Sequence, residues 1–182
     1  WLHAHQPRLA EHLETRRELL QDFAALRGFS YGCRRLYSAE RWAITGEAGV
    51  FLDPFYSPGG DFIAIANTYV TDLITRDRAG EPIGARAQVY EQFFRSIYDS
   101  MLSLYVNQYS MFGDPQVLPV KVIWDYTYYW GVLCQLFFQR RLTDIAALGR
   151  VRAELASSMQ LNFAVQRLLR EWSRRSPRDN PG

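Results

Sequence analysis

The chain has 182 residues, 48% of them hydrophobic and 15% aromatic, with a formal net charge of +2. That length accommodates one domain with a real core or a piece of a larger protein, and so small a charge argues against nucleic acid as a partner. Cys33 and Cys134 lack metal-ligand spacing, no basic start leads into an apolar run, and 122–138 is too short and too polar for a membrane span, so the expectation is a cytoplasmic protein with reduced thiols and no metal site.

In chain order, Leu9, Leu13, Leu20, Phe23 and Leu26 recur near helical spacing and predict a helix over 8–27, with Gly28 placed to end it. His3 and His5 precede it in a segment that reads as loose rather than as a metal clip. Phe29–Leu36 and Arg41–Thr45 read as two strands joined by a polar turn at Ser38-Ala39-Glu40. A helix over 61–76 follows, with Ile63, Ala66, Val70, Leu73 and Ile74 as its buried stripe and Asp61 complementing its dipole. Arg78 to Pro82 breaks the pattern. A long helix over 85–111 repeats Val89, Phe93, Ile97, Met101, Leu104 and Tyr105, and Gly113-Asp114-Pro115 stops it. Two more helices are expected over 119–142 and 148–172, and Ser173 to Gly182 reads as a frayed tail.

The segment richest in chemistry is 42–61, WAITGEAGVFLDPFYSPGGD. Gly46, Gly49, Gly59 and Gly60 remove side chains where a ligand can approach the main chain. The helix that starts after them offers unpaired N–H groups and a positive dipole end. Glu47 reads either as an acceptor for ligand hydroxyls or as an ordinary turn carboxylate. In Asp53-Pro54 the proline holds Asp53 extended and shapes the loop. Ser57, Gly59 and Gly60 are the positions whose amides face an incoming anion or carbonyl edge. Farther on, Trp124, Tyr126, Tyr128, Tyr129, Trp130, Phe137 and Phe138 read as core packing or as the wall of a site for a flat hydrophobic molecule.

Gly46-Glu47-Ala48-Gly49, Phe51-Leu52-Asp53-Pro54-Phe55 and Ser57-Pro58-Gly59 together resemble the second flavin-contacting motif of flavin-dependent halogenases and related FAD monooxygenases. The likeness is specific over 42–61, looser over 31–74, and beyond that general, to the helical C-terminal region of those enzymes. It implies FAD as cofactor, with Gly46, Glu47, Asp53, Pro54, Ser57, Gly59 and Gly60 as its binding residues, and reduced flavin with O₂ oxygenating or halogenating a hydrophobic or aromatic small molecule. The family holds chloride with two backbone amides at this place, and one matching position here is Pro58, which has no N–H. That departure shifts weight toward oxygenation.

No G-x-G-x-x-G turn occurs in the chain to receive the FAD pyrophosphate. The resemblance therefore implies a C-terminal part of a longer flavoprotein, whose partner is an N-terminal dinucleotide-binding domain. The expected fold is α+β and mostly helical, with short antiparallel strands completing an FAD-domain sheet. Residues 1–78 would close the FAD domain, 79–174 form a helical domain and 175–182 a disordered tail. Two other functions stay open: a flavin-dependent reductase of isoprenoid double bonds, and a non-catalytic helical interaction module whose apolar face drives homodimer formation.

Overall fold

A computed structural model of the chain describes residues 1–25, 27–28 and 30–175. Eight α-helices are present among them: α1 (Leu2–His5), α2 (Pro7–Glu14), α3 (Pro58–Arg78), α4 (Gly84–Leu102), α5 (Val117–Tyr128), α6 (Gln135–Phe138), α7 (Ile145–Arg150) and α8 (Arg152–Arg175). A six-residue π turn, Tyr129–Cys134, joins α5 to α6 without a break. Short 3₁₀ turns stand at Arg17–Leu19, Gly46–Ala48 and Tyr109–Met111.

The frame is built on α3, α4, α5 and α8. Pro58 opens α3 with a preset φ, Asp61 lies in its first turn and Arg76 and Arg78 in its last, matching both ends of the dipole. Its buried face is Phe62, Ile65, Ala66, Tyr69 and Leu73, displaced by one position from the stripe expected, so that Ile63 and Ile74 face outward. Each large apolar side chain buried here is worth about 2 kcal/mol. On α4 the buried side chains are Ala87, Tyr90, Phe94, Ser100 and Met101. Tyr69 of α3 stacks on Tyr90 of α4 with ring centroids 4.2 Å apart. The main core takes residues from both sides of Arg78, from Leu36 to Leu148, and a smaller one gathers Met111, Val117 and Leu169.

The α+β expectation is corrected: the chain is mostly helical, about 65%, and the described residues contain no strand and no sheet. In place of the two strands stand isolated antiparallel bridges, Tyr31 with Phe51 and Tyr37 with Ala43. Phe29, the expected first strand residue, lies outside the described residues. The reason is visible along 33–37. Glu91 Oε2 on α4 accepts from the amides of Leu36 (2.7 Å) and Tyr37 (3.0 Å), while Arg95 donates to the carbonyls of Cys33 (3.1 Å) and Arg34. Backbone groups that a neighbouring strand would pair are thus taken by helix side chains, and a lone two-stranded ribbon is marginal in water.

Other boundaries also move. The helix expected over 8–27 closes at Glu14 and the chain is extended by Leu20. Leu9, Leu13, Leu20 and Phe23 are exposed and supply no packing to prolong it, Leu26 lies outside the described residues, and no helix reaches Gly28. The helix over 85–111 ends at Leu102, and that over 148–172 is divided at Val151. Of the expected tail, Ser173, Arg174 and Arg175 still belong to α8, Ser173 buried, and 176–182 lie outside the described residues. No helix among the described residues is long and apolar enough to cross a membrane.

Candidate functional site

The glycine-flanked loop folds as a 3₁₀ turn pressed against the start of α3. Gly46 has φ +55°, and a Cβ there would stand 2.6 Å from Ile63 Cγ1; at Gly49 it would stand 2.5 Å from Leu36 Cδ2. Gly46 is thus held to glycine by its backbone and by Ile63, while a side chain at Gly49 would have to displace the tip of Leu36. The carboxylate of exposed Glu47 instead lies over Gly59, where a Cβ would be 3.0 Å from Glu47 Oε1. Gly60 is exposed, with nothing within 4 Å of a Cβ.

Asp53 and Pro54 build the turn that enters α3. Asp53 Oδ1 accepts from the Phe55 amide (2.9 Å) and its Oδ2 from the Tyr109 hydroxyl (2.5 Å). The Pro54 carbonyl accepts from the Ser57 amide (3.0 Å), so that amide is spent inside the turn rather than offered to a ligand. Tyr56 and Ser57 both adopt left-handed backbone, with φ of 64° and 55°, a conformation that costs on the order of 1–2 kcal/mol for a residue with a side chain. Tyrosines hold this loop in place. Tyr105 donates to the Phe55 carbonyl (2.9 Å), Tyr129 to Asp61 Oδ1 (2.9 Å), Tyr56 to Asp125 Oδ2 (3.2 Å), and Tyr31 to the Glu47 carbonyl. No side chain caps α3. Of the seven predicted site residues, the fold therefore gathers Glu47, Gly59 and Gly60 at one helix start, puts Asp53, Pro54 and Ser57 in the turn leading to it, and buries Gly46 beneath.

Two cavities bear on the site, and only the smaller is lined by the loop. A chamber of about 470 Å³ is walled largely by aliphatic and aromatic residues of α4, the π turn, α7 and α8, among them Phe93, Ile97, Leu133, Leu148 and Leu155. Val89, Phe93, Ile97 and Met101, expected as the buried stripe of α4, form one of its walls. A smaller cavity of about 220 Å³ lies between the loop and α5, lined by Tyr56, Asp61, Met101, Leu104, Asp125, Tyr126, Tyr128 and Tyr129. Met101 and Tyr128 face both spaces. Within the aromatic cluster noted in the sequence, the three tyrosines thus wall a cavity, whereas Trp130 and Phe138 stack on each other at the exposed surface.

Behind the smaller cavity runs a buried polar network that the sequence reading did not single out. Lys121, fully buried, donates to Asp125 Oδ2 (2.7 Å), the Leu104 carbonyl (3.1 Å) and Gln166 Oε1 (3.2 Å), which uses all three protons of an ammonium group. Asp125, 2% exposed, also accepts from Gln166 Nε2 (2.6 Å). Asn162 accepts from Trp124 Nε1 (3.0 Å) and donates to Ser103 Oγ (3.1 Å). Burial pulls Lys121 below the usual lysine range and raises Asp125 above the usual carboxylate range, each effect opposed by the partner's charge. Burial also raises Asp61. A sequence signal existed: Lys121/Asp125 and Asn162/Gln166 are each four apart, on the inward faces of α5 and α8.

Comparison with protein-family models, with curated proteins and with solved structures finds no match to the chain.

Proposed function

We propose that the chain supplies the flavin-ring and substrate side of an FAD-dependent oxidoreductase that oxygenates a hydrophobic or aromatic small molecule. One observation carries this reading: Glu47 meets Gly59 at an uncapped helix start whose Asp61 lines a small tyrosine-rich cavity, and that cavity shares Met101 and Tyr128 with an apolar chamber. The residues fit one edge of a flavin. The amides of Gly59 and Gly60 suit a carbonyl edge or a negative charge developing on it, and Glu47 suits ribityl hydroxyls. When bound, FAD would supply the redox chemistry with O₂. The chain's own part is to present those donors, hold the loop through its tyrosines and receive the substrate's apolar body in the chamber.

Halogenation is the less favoured reaction. Pro58 has no amide proton, so one of the two donors that the resembled family uses for chloride is lacking, and the neighbouring Ser57 amide is bonded to Pro54. A pyrophosphate-binding turn must come from an N-terminal dinucleotide-binding domain, which this reading takes as the chain's partner.

The test begins with the protein purified at its natural length, its mass measured and its absorbance recorded between roughly 350 and 500 nm, where oxidised flavins absorb. Flavin bands, and O₂ uptake on reduction that rises with a hydrophobic arene but not with chloride, are expected. A colourless protein that leaves the fluorescence of added FAD unquenched overturns the reading and favours a non-catalytic helical module.

A further inference from the structure

We propose that the smaller cavity is a binding site for a methylated ammonium group. Its lining combines four tyrosines, Tyr56, Tyr126, Tyr128 and Tyr129, with two carboxylates, Asp61 and Asp125. The charges do not balance within the site. Lys121 is ion-paired with Asp125 at 2.7 Å, whereas no cation among the described residues pairs with Asp61, whose bond is from the neutral Tyr129 hydroxyl. One negative charge is left facing a partly enclosed aromatic space, and a cation of the right size answers both features.

The hydrogen bonds narrow the class of cation. The hydroxyls of Tyr56, Tyr128 and Tyr129 are already engaged, by Asp125, Ser100 (2.8 Å) and Asp61. Both oxygens of Asp125 are in use as well. The site therefore offers mainly ring surface and one carboxylate charge, with few acceptors for N–H groups. A primary ammonium brings three protons that each need a partner; a trimethylated one brings none and loses least on leaving water. Access is open, because Tyr126 is 50% exposed. Beyond Met101 and Tyr128, which line both spaces, lies the apolar chamber.

The proposal does not depend on flavin, and its test is made without it. Choline and its uncharged isostere 3,3-dimethylbutan-1-ol are titrated into the 182-residue chain by calorimetry, with helix content checked by circular dichroism. Choline is expected to bind at least about tenfold tighter than the isostere. Asp61→Asn should bring the two within about threefold, and Tyr126→Ala, at an exposed position that leaves the core intact, should weaken choline alone by about fivefold. Equal affinities in the parent chain, no choline binding, or an unchanged preference in folded Asp61→Asn overturns the proposal while leaving the flavin reading untouched.

Discussion

Lys121 is the residue on which the interior turns. It sits at 0% exposure with all three ammonium protons placed on oxygen acceptors, one of them a carboxylate that is itself buried. Such a pair adds little stability over a hydrophobic replacement of equal volume, yet breaking it from one side is expensive. Lys121→Met should therefore cost about 3–5 kcal/mol in urea unfolding followed by tryptophan fluorescence, because Asp125 is left charged and buried. Adding Asp125→Leu in the same chain should recover most of that loss; a double variant as unstable as the single one would refute the pairing. Little of this was legible in the sequence. Lys, Asp, Asn and Gln are ordinarily surface residues, and only their shared spacing on α5 and α8, which becomes meaningful once both faces are known to be inward, marks them as a network.

At the scale of elements, α3 and the loop before it are a single packed unit, and the glycines in them serve different ends. Gly46→Ala should lower stability by at least about 1–2 kcal/mol from its positive φ alone, with the collision against Ile63 added to that. Gly60→Ala, inside the first turn of α3 with open space around it, should stabilise the chain by about 0.4–1 kcal/mol. Thermal denaturation of the two variants checks the opposite signs. Sequence periodicity located α3, α4, α5 and α8, since long helices with an apolar face advertise themselves. It did not locate the missing strands, because their fate depended on Glu91 and Arg95, more than fifty residues away. Nor did it foresee that four of the six residues in the repeat expected for α4, Val89, Phe93, Ile97 and Met101, would wall a chamber.

For the whole molecule, the density of buried tyrosine sets the response to alkali. Desolvation, with Tyr69 and Glu91 adding to it, holds the Tyr37 phenol far above its ordinary value, and burial does the same for Tyr69 and Tyr105. Burial first, then the bond to Asp72, pushes Tyr90 up to about 12, and the bond to Asp53 first pushes Tyr109 up to about 12. These folded-state values lie above those of the unfolded chain, near 10, so the stability they confer is complete below about pH 10 and is lost as pH rises beyond it. The measurement is phenolate absorbance alongside helical circular dichroism. A large share of the phenolate signal should arrive together with helix loss, and a smooth titration near pH 10 with helices intact would contradict the burial of Tyr37, Tyr69, Tyr90 and Tyr105. Two of these rings, Tyr105 and Tyr109, also bond to the loop of the candidate site, which ties its geometry to the folding of the chain.

Lys121 is also the chain's sole lysine, and its concealment has a practical consequence. In the native protein an amine-selective acylating reagent finds no side-chain target, and its reaction is confined to the α-amino group. A second acyl group on the 182-residue chain can be gained only when the core between α5 and α8 opens. Counting acyl groups by mass over time would thus read the opening frequency of that core directly, with one built-in reporter atom, Nζ of Lys121, and no engineered label.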